Sequence, residues 1–148
     1  MFAFEQTVGE LPDLDQAEVL LLECSKLTAP QRILLVEDDD DVSELFTAAL
    51  RDEGYLVDLA RTVAMAWTHL DAYSYALAIV DWKLPDGDGT TIAAAAAQLG
   101  AKTFLVSGYL SQMAGGRAHG HVNIMKPILP SELVQAVRQT IGGPARSG

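Results

Sequence analysis

The pattern that most constrains this chain is an alternation of short apolar runs with segments of helical spacing. The runs are Ile33-Leu34-Leu35-Val36, Tyr55 to Ala60, Ala76-Leu77-Ala78-Ile79-Val80, Thr103 to Val106 and His121 to Met125. Each is too short for a buried helix and apolar enough for a strand covered on both faces. Between the first two, Val42, Leu45, Phe46, Ala49 and Leu50 fall at i, i+3, i+4, i+7 and i+8, the inward face of a helix stopped near Gly54. Thr62 caps a second helix with Val63, Ala66, Trp67 and Leu70 on one face, so Trp67 is expected in the core. Thr90 to Leu99 is Ala-rich and helical, and Ser131 to Ile141 turns Leu133, Val134, Val137 and Ile141 inward. Residues 110–119 contain Gly115-Gly116 and predict only a short or mobile helix. Five strands alternating with helices predict an α/β fold, a doubly wound five-stranded parallel sheet.

The length, 148 residues, fits one ordinary domain. We expect it over residues 31–142, followed by a flexible tail at 143–148. Residues 1–30 read as an extension. Within it Leu14, Ala17, Leu20, Leu21, Cys24 and Leu27 recur at helical spacing, so an amphipathic helix is expected over 15–27. Its apolar face needs a partner: this domain, a second copy in a homodimer, or another protein.

Charge excludes several classes. A net charge of −10 would be repelled by a phosphate backbone, so no nucleic-acid partner is expected. One cysteine allows no disulfide framework. No apolar run approaches the roughly 18 residues of a membrane span. No basic residue precedes Lys26, which argues against a signal peptide and leaves a cytoplasmic protein as the expectation.

In parallel sheets, chemistry gathers beyond the carboxyl ends of the strands. That rule brings Glu37, Asp38, Asp81, Ser107 and Lys126 to one crevice. Clustered carboxylates repel one another, and a hard divalent cation with oxygen ligands relieves the repulsion. Mg2+ takes only one or two carboxylates directly, which suits Asp38 and Asp81, with Glu37 acting through a bound water. A carboxylate such as Asp81 is also a competent nucleophile towards phosphorus. Lys126 and Ser107 could supply the charge stabilisation that phosphoryl transfer requires. Taken singly, each residue has a plainer explanation as a cap, a solvated turn or a surface charge. Asp39 or Asp40, in the acidic run from Glu37 to Asp41, is assigned to helix capping. The joint arrangement decides for chemistry.

Residues 32–141 resemble the receiver domain of bacterial response regulators, the CheY-like fold with strand order 2-1-3-4-5. The resemblance is carried by Ile33 to Asp39, by Ile79-Val80-Asp81-Trp82-Lys83-Leu84-Pro85 with Gly89, by Leu105-Val106-Ser107-Gly108, and by Lys126-Pro127. It implies a phosphorelay protein in which Asp81 accepts phosphate from a histidine kinase or phosphotransfer protein and switches binding to a downstream target. It also implies Mg2+ held by Asp38, Asp81 and the main-chain carbonyl of Lys83, with Glu37 in the outer shell. Ser107 and Lys126 would contact the phosphoryl oxygens, and the Lys126–Pro127 bond is expected to be cis. Self-catalysed phosphorylation and dephosphorylation would be its only reactions.

The chain departs from the family pattern in three places. Asn123 stands where receivers usually carry an aromatic switch, the stretch from Ser107 to Lys126 is short, and the N-terminal helix is an addition. The run Phe104 to Tyr109 resembles an atypical subgroup without that switch. Phosphorylation is then expected to order residues 108–120 through Ser107. Two rival functions are a phosphorylation-independent interaction module and a haloacid-dehalogenase-like phosphatase. The second is prompted by Asp86-Gly87-Asp88-Gly89-Thr90, which spells that family's motif in a loop rather than at a strand end. A stand-alone regulator is expected rather than a receiver excised from a larger kinase.

Overall fold

The computed structural model describes residues 31–108 and 121–144. The helix expected over 15–27, Cys24, the 110–119 segment and the last four residues lie outside that range. The elements in chain order are β1 (Arg32–Val36), α1 (Asp40–Glu53), β2 (Leu56–Ala60), α2 (Val63–Ala72), β3 (Leu77–Asp81), β4 (Lys83–Leu84), β5 (Gly87–Asp88), α3 (Gly89–Gln98), β6 (Lys102–Ser107), β7 (Val122–Met125) and α4 (Pro130–Ile141).

Five strands form a parallel sheet in the order β2-β1-β3-β6-β7, the expected doubly wound α/β architecture. The period-2 alternation of strand side chains divides the core in two. Leu34, Val36, Ala78, Val80 and Leu105 point to one face, where they meet Ala66 and Leu70 of α2 and Ile92, Ala93 and Ala96 of α3. Ile33, Leu35, Val57, Leu77, Ile79, Phe104 and Val106 point to the other, against Phe46 and Leu50 of α1 and Leu133 and Val137 of α4. Strands apolar on both faces are what a parallel sheet covered by two helical layers requires.

The helix ends are set locally. Asp39 caps α1, its carboxylate accepting from the Val42 N–H at 3.0 Å, and Gly54 closes that helix in the left-handed region at φ 108°. Thr62 caps α2 by accepting from Met65 N–H, as expected. Asp88 caps α3 through Thr90 N–H.

Two inward assignments need correction. Trp67 is 43% exposed and Leu45 58% exposed. Each follows or precedes a truly buried residue (Ala66, Phe46) by one position, about 100° around the helix, which carries it onto the flank of the contact stripe. Leu45 there lines an apolar groove with Val42, Phe46, Ile128 and Pro130. Tyr55 precedes its strand rather than opening it; it is buried, and its hydroxyl donates to Gly142 O at 2.6 Å. The β4–β5 hairpin, with two residues in each strand, has no counterpart in the sequence pattern.

Candidate functional site

The order of strands reverses between β1 and β3, and the carboxyl ends of these two strands carry the acids. Glu37 follows β1 directly. Its N–H donates to Ala60 O at 2.9 Å, which ties it to β2 and buries it to 2% exposure. Asp38 is exposed beside it. Asp81 ends β3, 8% exposed. Ligand oxygens of Glu37, Asp38 and Asp81 lie within 4.8 Å of one another. From the far side, Lys126 reaches in just after β7, with Nζ 2.9 Å from Glu37 Oε1 and 3.6 Å from Asp81 Oδ2. Its position is fixed by its own N–H, which donates to Ser107 O at 2.8 Å. Ser107 ends β6 and is buried. Asp81, Trp82, Lys83, Ser107, Gly108 and Lys126 together line a crevice of about 400 Å³. All five residues selected at strand ends therefore meet at one edge of the sheet, with Lys83 beside them. The Lys126–Pro127 bond is cis, as expected.

Electrostatics follow from the crowding. Burial and the neighbouring Glu37 carboxylate push the Asp81 carboxyl up to about 7, against the opposing pull of Lys126. For Lys126, burial works against the charged form, but bonds and charge from Glu37 and Asp81 outweigh it and the net shift is upward. The three clustered carboxylates, with Lys126 against two of them, leave an excess of negative charge at a partly buried place. That is the setting in which an oxygen-ligated divalent cation is stabilising, so the donor set fits Mg2+.

Other residues build the site without entering it. Gly89 lies so close to β3 that a Cβ there would stand 2.0 Å from Asp81 O and 2.8 Å from Val80 Cγ1. Only glycine fits, and its N–H donates to Trp82 O at 2.8 Å. Trp82 N–H in turn donates to Val106 O, locking the residue after Asp81 to β6. Asp86 accepts from Val63 N–H at 2.7 Å and Ala64 N–H at 3.1 Å, while Asp88 is spent on capping α3. Both acids of the phosphatase-like motif thus serve helix N-termini, away from the strand end that chemistry would need. Asn123 sits on β7, opposite Leu105 in register. His121 is buried, Nδ1 2.5 Å from Thr103 Oγ1, and belongs to no metal cluster among the described residues.

A doubly wound parallel sheet with clustered acids at its switch point defines a class of α/β proteins that hold charged ligands beyond the strand ends. Within that class, residues 33–138 match the family model described as the response regulator receiver domain, and the chain belongs to that family. It is 30% identical over 120 residues to Protein RcaC of Microchaete diplosiphon, a match covering 72% of this chain and 17% of that protein. It is 31% identical over 119 residues to the DNA-binding response regulator MtrA of Mycolicibacterium smegmatis, covering 75% of this chain and 50% of MtrA. The chain therefore spans half or less of these relatives. Among solved structures, a CheY-like receiver domain protein from Methanospirillum hungatei JF-1 superposes with a TM-score of 0.66 at 30% identity, covering 76% of this chain and 94% of the other. The receiver domain of HemR from Leptospira biflexa gives 0.65 at 25% identity, covering 75% and 94%. Receiver domains are signalling domains of two-component systems, and none of the described helices is long and apolar enough to cross a membrane.

Proposed function

We propose that this receiver accepts a phosphoryl group on Asp81 from a histidine kinase or phosphotransfer protein, and that the modification changes its binding to a downstream protein. The supporting observation is the meeting of Glu37, Asp38 and Asp81 within 4.8 Å, with Lys126 Nζ against two of them. Asp38, Asp81 and the Lys83 carbonyl would hold Mg2+, with Glu37 acting through a bound water. The cation would offset the charge of the incoming phosphoryl oxygens.

The chain's own groups account for the rest. An Asp81 carboxylate oxygen forms the new bond to phosphorus as the bond from phosphorus to the donor's histidine nitrogen breaks, the electron pair leaving with the imidazole. Ionised Asp81 is the competent form, and Lys126 favours it by opposing the pull of burial and Glu37. Lys126 is within a short side-chain movement of any oxygen placed on Asp81, and the Ser107 hydroxyl lines the same crevice as a donor. Burial of Asp81 limits access of hydrolytic water. In this reading the chain is an acceptor rather than a turnover enzyme. The domain spans 31–142 and works in the cytoplasm, and the apolar positions that recur at helical spacing in the sequence over 15–27 would offer a face for a second copy or the downstream target. With Asn123 in place of an aromatic, the switch runs through Ser107 and residues 108–120.

Phosphotransfer profiling tests this. Radiolabelled kinases are mixed with the wild-type chain and with Asp81→Asn. Label moving from at least one kinase to wild type alone is expected. Equal labelling of both, or of neither by any kinase, contradicts it.

A further inference from the structure

We propose that Asp86 is a positioning residue for the cation site, clamping the hairpin that carries Lys83 to the start of α2. The inference rests on the reading above, in which Asp81 and the Lys83 carbonyl hold Mg2+.

The hairpin needs an anchor. β4 and β5 are two residues each, paired as Lys83 with Asp88 and Leu84 with Gly87. Two-stranded hairpins are marginal by themselves, and this one has only two paired positions. Leu84 is buried among the residues of the α2–α3 face, which fixes one side chain. Gly89 N–H to Trp82 O closes the base. At the tip, Asp86 crosses to another element with both carboxylate oxygens, one accepting from Val63 N–H and one from Ala64 N–H, 23 and 22 residues away.

The clamp is not a substitute for an ordinary cap. Helix α2 has its own in Thr62, which satisfies the Met65 N–H. Asp86 takes the two preceding amides, so the first turn of α2 has all three of these donors satisfied by two side chains of different origin. The bond from Val63 N–H, with that from Ala64 N–H, outweighs desolvation and holds the Asp86 carboxyl below its ordinary range, so it remains an anion at the positive end of the helix. Lys83 lies between two fixed points, Asp81 at the end of β3 and Asp86, which is bonded to the start of α2. Its carbonyl is the one main-chain ligand in the proposed set, and a main-chain atom can be aimed only by fixing the backbone on both sides of it. Outer partners that aim metal ligands commonly change metal affinity by 10–100-fold when removed, on the order of what is expected here.

The test uses the full chain in a Trp67→Phe background, leaving Trp82 as the indole that reports Mg2+ in the adjoining crevice. Mg2+ is titrated into the parent, Asp86→Ala, Asp86→Asn and Thr62→Ala, and thermal melting is followed for each. Thr62→Ala removes a cap from the same helix and serves as the structural control. Asp86→Ala is expected to weaken Mg2+ binding roughly tenfold, Asp86→Asn by less because it keeps one acceptor, and Thr62→Ala to stay within about twofold despite its lower melting temperature. Mg2+ affinities that are equal for the Asp86 variants and the parent, or that fall equally in Thr62→Ala, overturn the clamp. If Asp86→Ala does not fold, Asp86→Asn is judged by the same comparison. A parent that shows no saturable response overturns the cation reading itself, and the clamp with it, a result distinct from a parent that binds and variants that do not differ.

Discussion

Asp81 is a carboxyl whose surroundings oppose its charge. Burial and Glu37 raise it to about 7 in the absence of a cation, and a proton therefore competes with Mg2+ in the neutral range. Mg2+ should bind more weakly at about pH 6 than at about pH 8, because the protonated form predominates below its pKa. Trp82 fluorescence would read this, and a pH-independent affinity would contradict it. The same shift has a sign for stability. The folded state holds the Asp81 proton more tightly than the unfolded chain, so stability without cation falls as pH rises from about 4 to about 7. Asp81→Asn removes that cost and should stabilise the cation-free protein at neutral pH by on the order of 1–3 kcal/mol, seen as a higher melting temperature. Lys126 behaves oppositely. Lys126→Ala removes an ammonium that faces both Glu37 and Asp81, so Mg2+ affinity should hold or rise while phosphoryl uptake from acetyl phosphate slows. Equal loss of both would mean that Lys126 is only structural.

At the scale of elements, the site depends on joints between strand ends and loops. Gly89→Ala would drive a methyl into the Asp81 carbonyl and Val80, and since main chain cannot yield cheaply, α3 or β3 must shift. A loss of about 2–4 kcal/mol in a denaturation experiment is expected, with weaker Mg2+ binding. At the opposite edge of the sheet, Asp58 of β2 accepts from Arg32 of β1 at 2.7 Å and from the Tyr75 hydroxyl at 2.7 Å, and the Arg32 guanidinium lies 4.1 Å from the centre of the Tyr73 ring. Burial pushes Asp58 up, but the two hydrogen bonds and the Arg32 charge outweigh it and the net shift is downward. Its contribution is therefore present above the unfolded carboxyl pKa near 4 and lost as pH falls through the lower folded value. Asp58→Asn should cost about 1 kcal/mol at neutral pH, with the difference closing in acid and Asp81 phosphorylation unchanged. A penalty that persists in acid would assign the effect to packing. The strands and capped helices could be read from sequence because each carries its own period and its own stop: Ile33–Val36 ends in acid, and Asp39 and Thr62 stand where caps belong. The β4–β5 hairpin could not, since two-residue strands have no period. The spacing of Trp67 and Leu45 points inward although both are exposed, because a helical stripe read from spacing is wider than the contact it makes.

Across the whole domain, two cores share one sheet, and the sheet's order does the gathering. Glu37, Asp81, Ser107 and Lys126 are separated by up to 89 positions in the chain yet lie at neighbouring strand ends, which is why a topological rule could select them before any distance was known. What sequence could not supply were the roles of residues that act by position alone. Gly89 matters through a missing Cβ against Asp81, and Asp86 through amides 22 and 23 residues earlier. Neither relation has a local signature, and Asp86 even sits in a motif belonging to another enzyme family. The central claim is that these strand ends make Asp81 a phosphoryl acceptor when a divalent cation is present. It is tested most directly by incubating the chain with acetyl phosphate, with Mg2+ or with chelator, and mapping the modified residue by mass spectrometry of its peptides. One phosphoryl group on Asp81, present with Mg2+ and absent with chelator, is expected. Modification elsewhere, at an equal level without the cation, or not at all would contradict the account.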